Sequence, residues 1–439
     1  MIDKFKNRTV VFATWTLGGA NMKGRVRAAV LIAIAEEERP VLRALTTVCT
    51  LILALATPAI AADVPGVTAT EIKVGGIFPF SGPASSIGLV GRGILAYVQS
   101  INDRGGINGR KINYIAYDDA YSPPKSVEHA RKLVESDEVA FMFSQLGTPG
   151  NTATAKYLKS RGVPTIAIVS GSSKFTEVGN FPLTTTSLVS FGTEGRIYAK
   201  FLTKTLPDAK YAILYQNDDL GKDYVNAFKE ILKSDFDKKV VTASYEVTEP
   251  TVDSQVVSLK SSGAGALLVA GTPKFAAQAI RKAHELNWKT LIVLNYPSGS
   301  VGATLKPAGL DVSTGVVVGT ATKDATDSVW DQDEGMKNFR AFVDKYMPGV
   351  DIADNNYLFG YTQGMLLEQL IKQCGDDLSR DNIIRQARSF RDVALPTVQP
   401  GIKINTSEKV NMNYTQMRLQ RWTGTHWDRF GEVLDAASE

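Results

Sequence analysis

The amino-acid sequence predicts an α/β protein built as two doubly wound lobes. Short apolar runs that read as buried strands alternate with helical patterns from Glu71 onward, the alternation breaks at Phe181 to Ser190 and restarts at Gly192, and the loops closing the strands are small and hydroxyl-rich. Such alternation marks a parallel sheet with helices on both faces, and ligands bind such sheets at the carboxyl ends of the strands. At 439 residues, 44% hydrophobic and 21% charged, the chain is long enough for two separate cores.

The first strand is Glu71 to Phe78, with Pro79-Phe80-Ser81-Gly82-Pro83-Ala84 as its loop. A helix follows, buried along Leu89, Ile94, Val98 and Ile101 and stopped by Gly105-Gly106. Asn108-Gly109 signals a turn, Lys111 to Tyr117 a second strand, and Ser122-Pro123 a hydroxyl cap with proline at the first helical position. Strand Val139 to Phe143, helix Thr152 to Arg161 and strand Pro164 to Ile168 continue the series. The second series runs helix to Leu206, strand Tyr211 to Tyr215, helix Lys222 to Leu232, strand Val240 to Tyr245, helix Asp253 to Ser261, strand Ala266 to Ala270, helix Lys274 to Leu286 and strand Leu291 to Leu294. A strand at Gly315 to Gly319 leads into an uneven crossing segment, Thr320 to Trp330, then helices at Glu334 to Tyr346, Tyr357 to Gln373 and Arg380 to Ala387. Met417 to Trp422 and Trp427 to Phe430 read as a hairpin around Gly424, with both tryptophans in its core.

Two loops stand out, Phe143 to Thr152 and Ile168 to Lys174, each after a buried strand. Hydroxyls and unpaired N–H groups at strand and helix ends attract an anion, so these loops are expected to hold the carboxylate of a small molecule, bound without chemistry.

Upstream, Arg43, an apolar run from Ala44 to Ala56 and an Ala-x-Ala end describe a cleavable signal peptide ending near Ala61, hence a periplasmic or external protein. The apolar run Ala28 to Ala35 and Glu36-Glu37-Glu38 serve no signal peptide and read as an upstream start. The first 61 residues carry eight of the 49 basic and four of the 45 acidic residues, so the remainder is formally neutral. A neutral body argues against nucleic acid as a partner. Of two cysteines only Cys374 lies beyond the signal, on an apolar helical face, which reads as a buried free thiol.

Catalytic signatures are missing: the histidines His129, His284 and His426 fall in two helical patterns and a hairpin, and no zinc-protease, nucleophile-elbow or P-loop motif occurs. Gly88 to Gly93 carries glycines in the wrong order for a dinucleotide fingerprint, and reads as close helix packing. The acids of Asp327 to Glu334 lack calcium-loop spacing and read as a solvated surface. The chain is therefore expected to be neither an enzyme nor a holder of a cofactor or metal.

Ile77 to Ala84 after the first strand, Ile101-Asn102-x-x-Gly105-Gly106-Ile107-Asn108-Gly109-Arg110, Tyr117-Asp118-Asp119, Tyr215 to Tyr224 and Thr272-Pro273 together resemble the periplasmic substrate-binding proteins of the branched-chain amino acid family, which serve ABC importers. The resemblance covers Ala62 to Gly431. It implies the type I fold, two lobes joined by a three-segment hinge around a ligand cleft: residues 62–188 and 320–398 in the N-terminal lobe, 189–319 and 399–439 in the C-terminal lobe, after a 1–61 extension and signal peptide. It implies as partners a small carboxylate, a permease and its ATPase, with the protein a monomer. By loop alignment, Thr148 beside Gly147, and Ser170, Gly171 and Ser172, fall at the carboxylate cradle, with Ile87, Leu220, Thr272 and Tyr296 around it. Ile87 and Leu220 replace tyrosines common in amino acid binders, and the loop Asn295 to Gly302 lacks the acid that meets an α-ammonium. An unpaired buried ammonium costs several kcal/mol, so an aromatic or aliphatic acid is expected, with a branched-chain amino acid as the other candidate and Asp218 or Asp219 as its stand-in partner. A free-standing sensor or a binder of an amide-type solute would have the same sequence features.

Overall fold

The computed structural model describes residues 64–435, so the signal peptide and upstream segment lie outside the described residues. Two sheets organise the chain. The first is five-stranded, in the order β2-β1-β3-β4-β5, from β1 (Glu71–Phe78), β2 (Lys111–Asp118), β3 (Phe141–Phe143), β4 (Thr165–Ile168) and β5 (Thr184–Thr186), all parallel. Its helices α1 (Ser85–Asp103), α2 (Pro123–Glu135) and α3 (Thr148–Ser160) connect successive strands.

The second sheet runs β12-β11-β10-β9-β8-β6-β7, from β6 (Tyr211–Gln216), β7 (Val240–Tyr245), β8 (Ala266–Ala270), β9 (Leu291–Leu294), β10 (Val317–Thr320), β11 (Gln416–Trp422) and β12 (Trp427–Asp435). It is parallel except in the terminal hairpin, where β11 runs antiparallel to β10 and β12 antiparallel to β11. Helices α4 (Phe191–Thr205), α5 (Asp219–Leu232), α6 (Asp253–Ser261) and α7 (Pro273–Glu285) accompany it. After β10 the chain leaves this sheet for α8 (Glu334–Tyr346), α9 (Asn355–Cys374) and α10 (Arg380–Ala387); α8 and α9 pack on α1, and the chain then returns as β11 and β12.

The packing of α9 on α1 depends on glycine. A Cβ at Gly93 would lie 2.7 Å from the Tyr357 carbonyl oxygen, and one at Gly360 would lie 2.2 Å from that of Val90. Any side chain there would force the helices apart, so the close packing read from Gly88 to Gly93 is what these positions provide. Cys374 ends α9 buried and free, its thiol pushed up to about 12 by burial. Trp422 and Trp427 are buried ring against ring, 5.3 Å between centroids.

Four local readings need correction. Thr184–Thr186 forms a fifth strand where the rhythm was read as broken, because three threonines carry β-propensity without an apolar run. Ser122 precedes α2 but its side chain caps nothing, and Pro124 removes the N–H of one of the two positions a cap can use. The helix after β3 begins at Thr148, not Thr152: Pro149 suits a first turn, and Gly147, at φ 107°, makes the entry. Asp327 is not solvated but 3% exposed, paired at 2.7 Å with Arg429 of the hairpin, whose guanidinium also covers the Trp330 ring. The ion pair and ring contact pin the crossing segment to the returning tail.

Candidate functional site

A cleft lies between the two sheets. One wall comes from α1 (Ile87, Val90), the loops after β2, β3 and β4 (Tyr121, Leu146 to Thr148, Val169) and the start of α9 (Asn355, Asn356, Phe359). The other comes from Phe191, Leu220, Thr272, Tyr296, Ser300 and the strand residues Val318, Thr320 and Gln420.

The loops after β3 and β4 are set by strained backbone. Ser144 and Ala167 adopt φ of 52° and 53°, a region costly for residues with a Cβ. The Ala167 N–H, at the irregularity inside β4, donates to Thr185 Oγ1 at 2.8 Å and the Ser144 hydroxyl to Gln363 Oε1 at 3.1 Å, which hold both positions in place. Leu146 and Val169 then bridge in parallel, so the loops leave side by side. Thr148 Oγ1 and Ser170 Oγ meet at 2.9 Å, both residues almost fully buried.

Of the residues singled out from sequence, Ile87, Gly147, Thr148, Leu220, Thr272 and Tyr296 line the cleft. Ser170 stands behind Thr148 through the hydroxyl pair. Gly171 and Ser172 are not among the lining residues: the Gly171 carbonyl accepts from the Phe191 N–H at 2.6 Å, and a Cβ there would strike the Phe191 ring. Gly171 thus seats the aromatic wall residue, and the Ser172 N–H donates to Ser170 Oγ at 3.3 Å.

Sequence reasoning missed the acid behind the second wall. Glu194, on α4, is 1% exposed and accepts from the hydroxyls of Tyr198 and Tyr224 and from the Tyr296 N–H, each at 2.7 Å. Burial pushes its carboxyl up to about 7. It anchors the loop that carries Tyr296, whose hydroxyl reaches Thr322 Oγ1 at 3.2 Å. A glutamate in the first turn of a helix gives no sequence signal of this role; its partners lie 4, 30 and 102 residues away.

Both edges of the cleft are closed by contacts between its walls. On one, Lys174 pairs with Asp219 at 2.5 Å, the Thr152 hydroxyl donates to the same carboxylate at 3.3 Å, and the Ser173 N–H donates to Asp223 at 2.7 Å. On the other, Lys306 pairs with Asp351 at 2.7 Å and the Gly302 N–H donates to the Ala353 carbonyl at 2.6 Å. Asp218 caps α5 through the N–H groups of Leu220 and Gly221, and its other oxygen accepts from Gln216 at 2.6 Å; Asp219 holds Lys174. Burial pushes Asp218 and Asp223 up to about 6. Among the described residues, no group of His, Cys, Asp and Glu could hold a metal ion, and no helix is long and apolar enough to cross a membrane.

Comparison with known proteins supports the same picture. The family model described as "Periplasmic binding protein" matches residues 71–426. Leu/Ile/Val-binding protein homolog 7 of Brucella suis is 26% identical over 364 residues, covering 80% of this chain and 89% of that protein. A branched chain amino acid ABC transporter protein from Thermus thermophilus, solved with bound valine, superposes with a TM-score of 0.75 at 14% identity, covering 84% of this chain and 98% of the other. A solute-binding protein from R. palustris, in complex with 4-hydroxybenzoate, gives 0.68 at 17% identity, with 83% and 97% covered. The chain belongs to the periplasmic binding protein family, among relatives of the Leu/Ile/Val-binding proteins.

Proposed function

We propose that this protein is the solute-binding component of an ABC importer, exported to the periplasm, that captures a small carboxylate by closure of its two lobes and delivers it to a membrane permease as a monomer, without chemistry. One observation carries the reading: a closed, largely apolar cleft lined by Thr148, whose hydroxyl is backed by that of Ser170, with no charged side chain among the lining residues. Neutral hydroxyls bind a carboxylate by charge-assisted hydrogen bonds, and closure is stabilised by contacts the ligand makes with both walls.

The same cleft favours an acid without an amine. The acids bordering it are engaged: Asp218 by the start of α5, Glu194 by two tyrosines, Asp324 by Thr326 and Asn355. An α-ammonium would be desolvated without a partner, at a cost of several kcal/mol. A hydrophobic or aromatic acid is the better ligand, and a branched-chain amino acid the lesser one. The lack of a cation among the lining residues also suits an amide-type solute.

Thermal unfolding of the exported protein against branched-chain amino acids, their deaminated acids, aromatic acids, short fatty acids and small amides tests this. A ligand at a hundredfold over its dissociation constant adds about 2.7 kcal/mol. A shift with amine-free acids supports the reading, a shift with leucine or valine alone overturns the amine argument, and a shift with amides alone overturns the carboxylate. Uptake of the active acid that survives deletion of this protein would leave it a free-standing sensor.

A further inference from the structure

We propose that the ligand carries, beyond its carboxylate, a second and neutral hydrogen-bonding group, a hydroxyl or a carboxamide, and that Gln420 and Asn355 recognise it. The inference rests on the carboxylate reading above and adds the ligand's other end.

Gln420 lies on β11, opposite Val318 of β10, 5% exposed and lining the cleft. A glutamine amide offers two donors and an acceptor, yet this side chain makes no hydrogen bond to any of the described residues. Buried amides are ordinarily satisfied, and one facing a binding cleft without a partner waits for a ligand atom.

Asn355 opens α9 on the facing wall. Its Nδ2 donates to Asp324 Oδ2 at 3.3 Å, and Asp324 is itself fixed by the N–H and hydroxyl of Thr326 at 2.8 and 2.6 Å. A carboxylate partner accepts only, so the amide orientation is determined and the carbonyl oxygen is the free end. Asn355 Oδ1 is buried without a partner. It needs an O–H or N–H donor, and a hydroxyl or carboxamide supplies one while also pairing with Gln420.

The two groups stand apart from the carboxylate cradle. Thr148 and Ser170 follow β3 and β4, Asn355 belongs to the helix packed on α1, and Gln420 comes from the opposite sheet. A ligand bound at both ends therefore spans the walls, and an analogue lacking the second group leaves the buried Asn355 Oδ1 unpaired and the Gln420 amide facing the cleft without a partner. Sites built to hydrogen-bond a ligand hydroxyl discriminate strongly against its absence.

Calorimetric titration of the exported protein with matched pairs decides the matter: 3-(4-hydroxyphenyl)propanoate against 3-phenylpropanoate, 6-hydroxyhexanoate against hexanoate, and adipic acid monoamide against hexanoate. At least one substituted acid should bind about tenfold tighter or more than its plain partner. Asn355→Ala and Gln420→Leu should each bring that ratio down toward one; either variant suffices if the other fails to fold. Equal affinities within every pair, or a ratio that survives both substitutions, overturn this inference and leave the carboxylate reading standing. Absence of binding by every acid overturns both.

Discussion

The interior of the cleft and its rim are built from opposite chemistry. At the rim, Lys174 with Asp219, Lys306 with Asp351, and Asp223 with the Ser173 N–H hold the walls together, and the two ion pairs are partly solvent-exposed. Inside, hydroxyls, amides and apolar side chains meet the ligand space, with only the phenols of Tyr121 and Tyr296 ionisable among the lining residues. The physical consequence is a division of labour. Exposed ion pairs are weak and screened by salt, so the rim makes closure easy to reverse. Neutral hydrogen bonds in a water-poor cleft are strong and directional, so the interior sets which ligand stabilises the closed state.

Breaking the interior should have the largest effect. Thr148→Val combined with Ser170→Ala removes both hydroxyls of the cradle with little change of volume, and carboxylate affinity measured by calorimetry should fall about 10- to 100-fold while the melting midpoint without ligand moves little.

An effect on stability rather than affinity comes from a buried acid behind the interior. Glu194 has its carboxyl pushed up to about 7 by burial, against 4.5 unperturbed. The folded protein therefore keeps a proton that the unfolded chain releases between these values, and stability falls as pH rises across that window, by on the order of 3 kcal/mol. Urea unfolding from pH 4.5 to 7.5 should show the decline, and Glu194→Gln should remove its part above about pH 6, leaving the part below to Asp218 and Asp223, which burial also pushes up to about 6.

The rim should respond least. Lys174→Met breaks the pair with Asp219, whose two side chains are 30% and 43% exposed. Apparent ligand affinity should drop less than about fivefold, and the difference from the parent should shrink at high salt. A larger loss that salt does not touch would mean the rim takes part in recognition and would remove the contrast.

Much of this was legible in the sequence, and for local reasons. Strands such as Val240–Tyr245 and helices such as Asp253–Ser261 and Glu334–Tyr346 carry their signals in the segment and its immediate flanks, and their bounds agree with the sequence reading. Ser144 after β3 and Ala167 within β4 gave no such sign, because their left-handed backbone is held by Gln363 and Thr185 from elsewhere in the fold. Asp327 was misread for the same reason: its partner, Arg429, is 102 residues away.

The sequence by itself determined the alternation of strand and helix, the two lobes, and the small hydroxyl loops at the strand ends, since these depend on spacing along the chain. Tertiary structure alone decided that Gly171 seats an aromatic wall, that Glu194 anchors the Tyr296 loop, that Asp218 and Asp219 are engaged at the rim, and that Gln420 and Asn355 face the same cleft. Each of those facts is a contact between residues far apart in sequence. Which polar atom is satisfied, and which waits for a ligand, is fixed only once the chain has closed on itself.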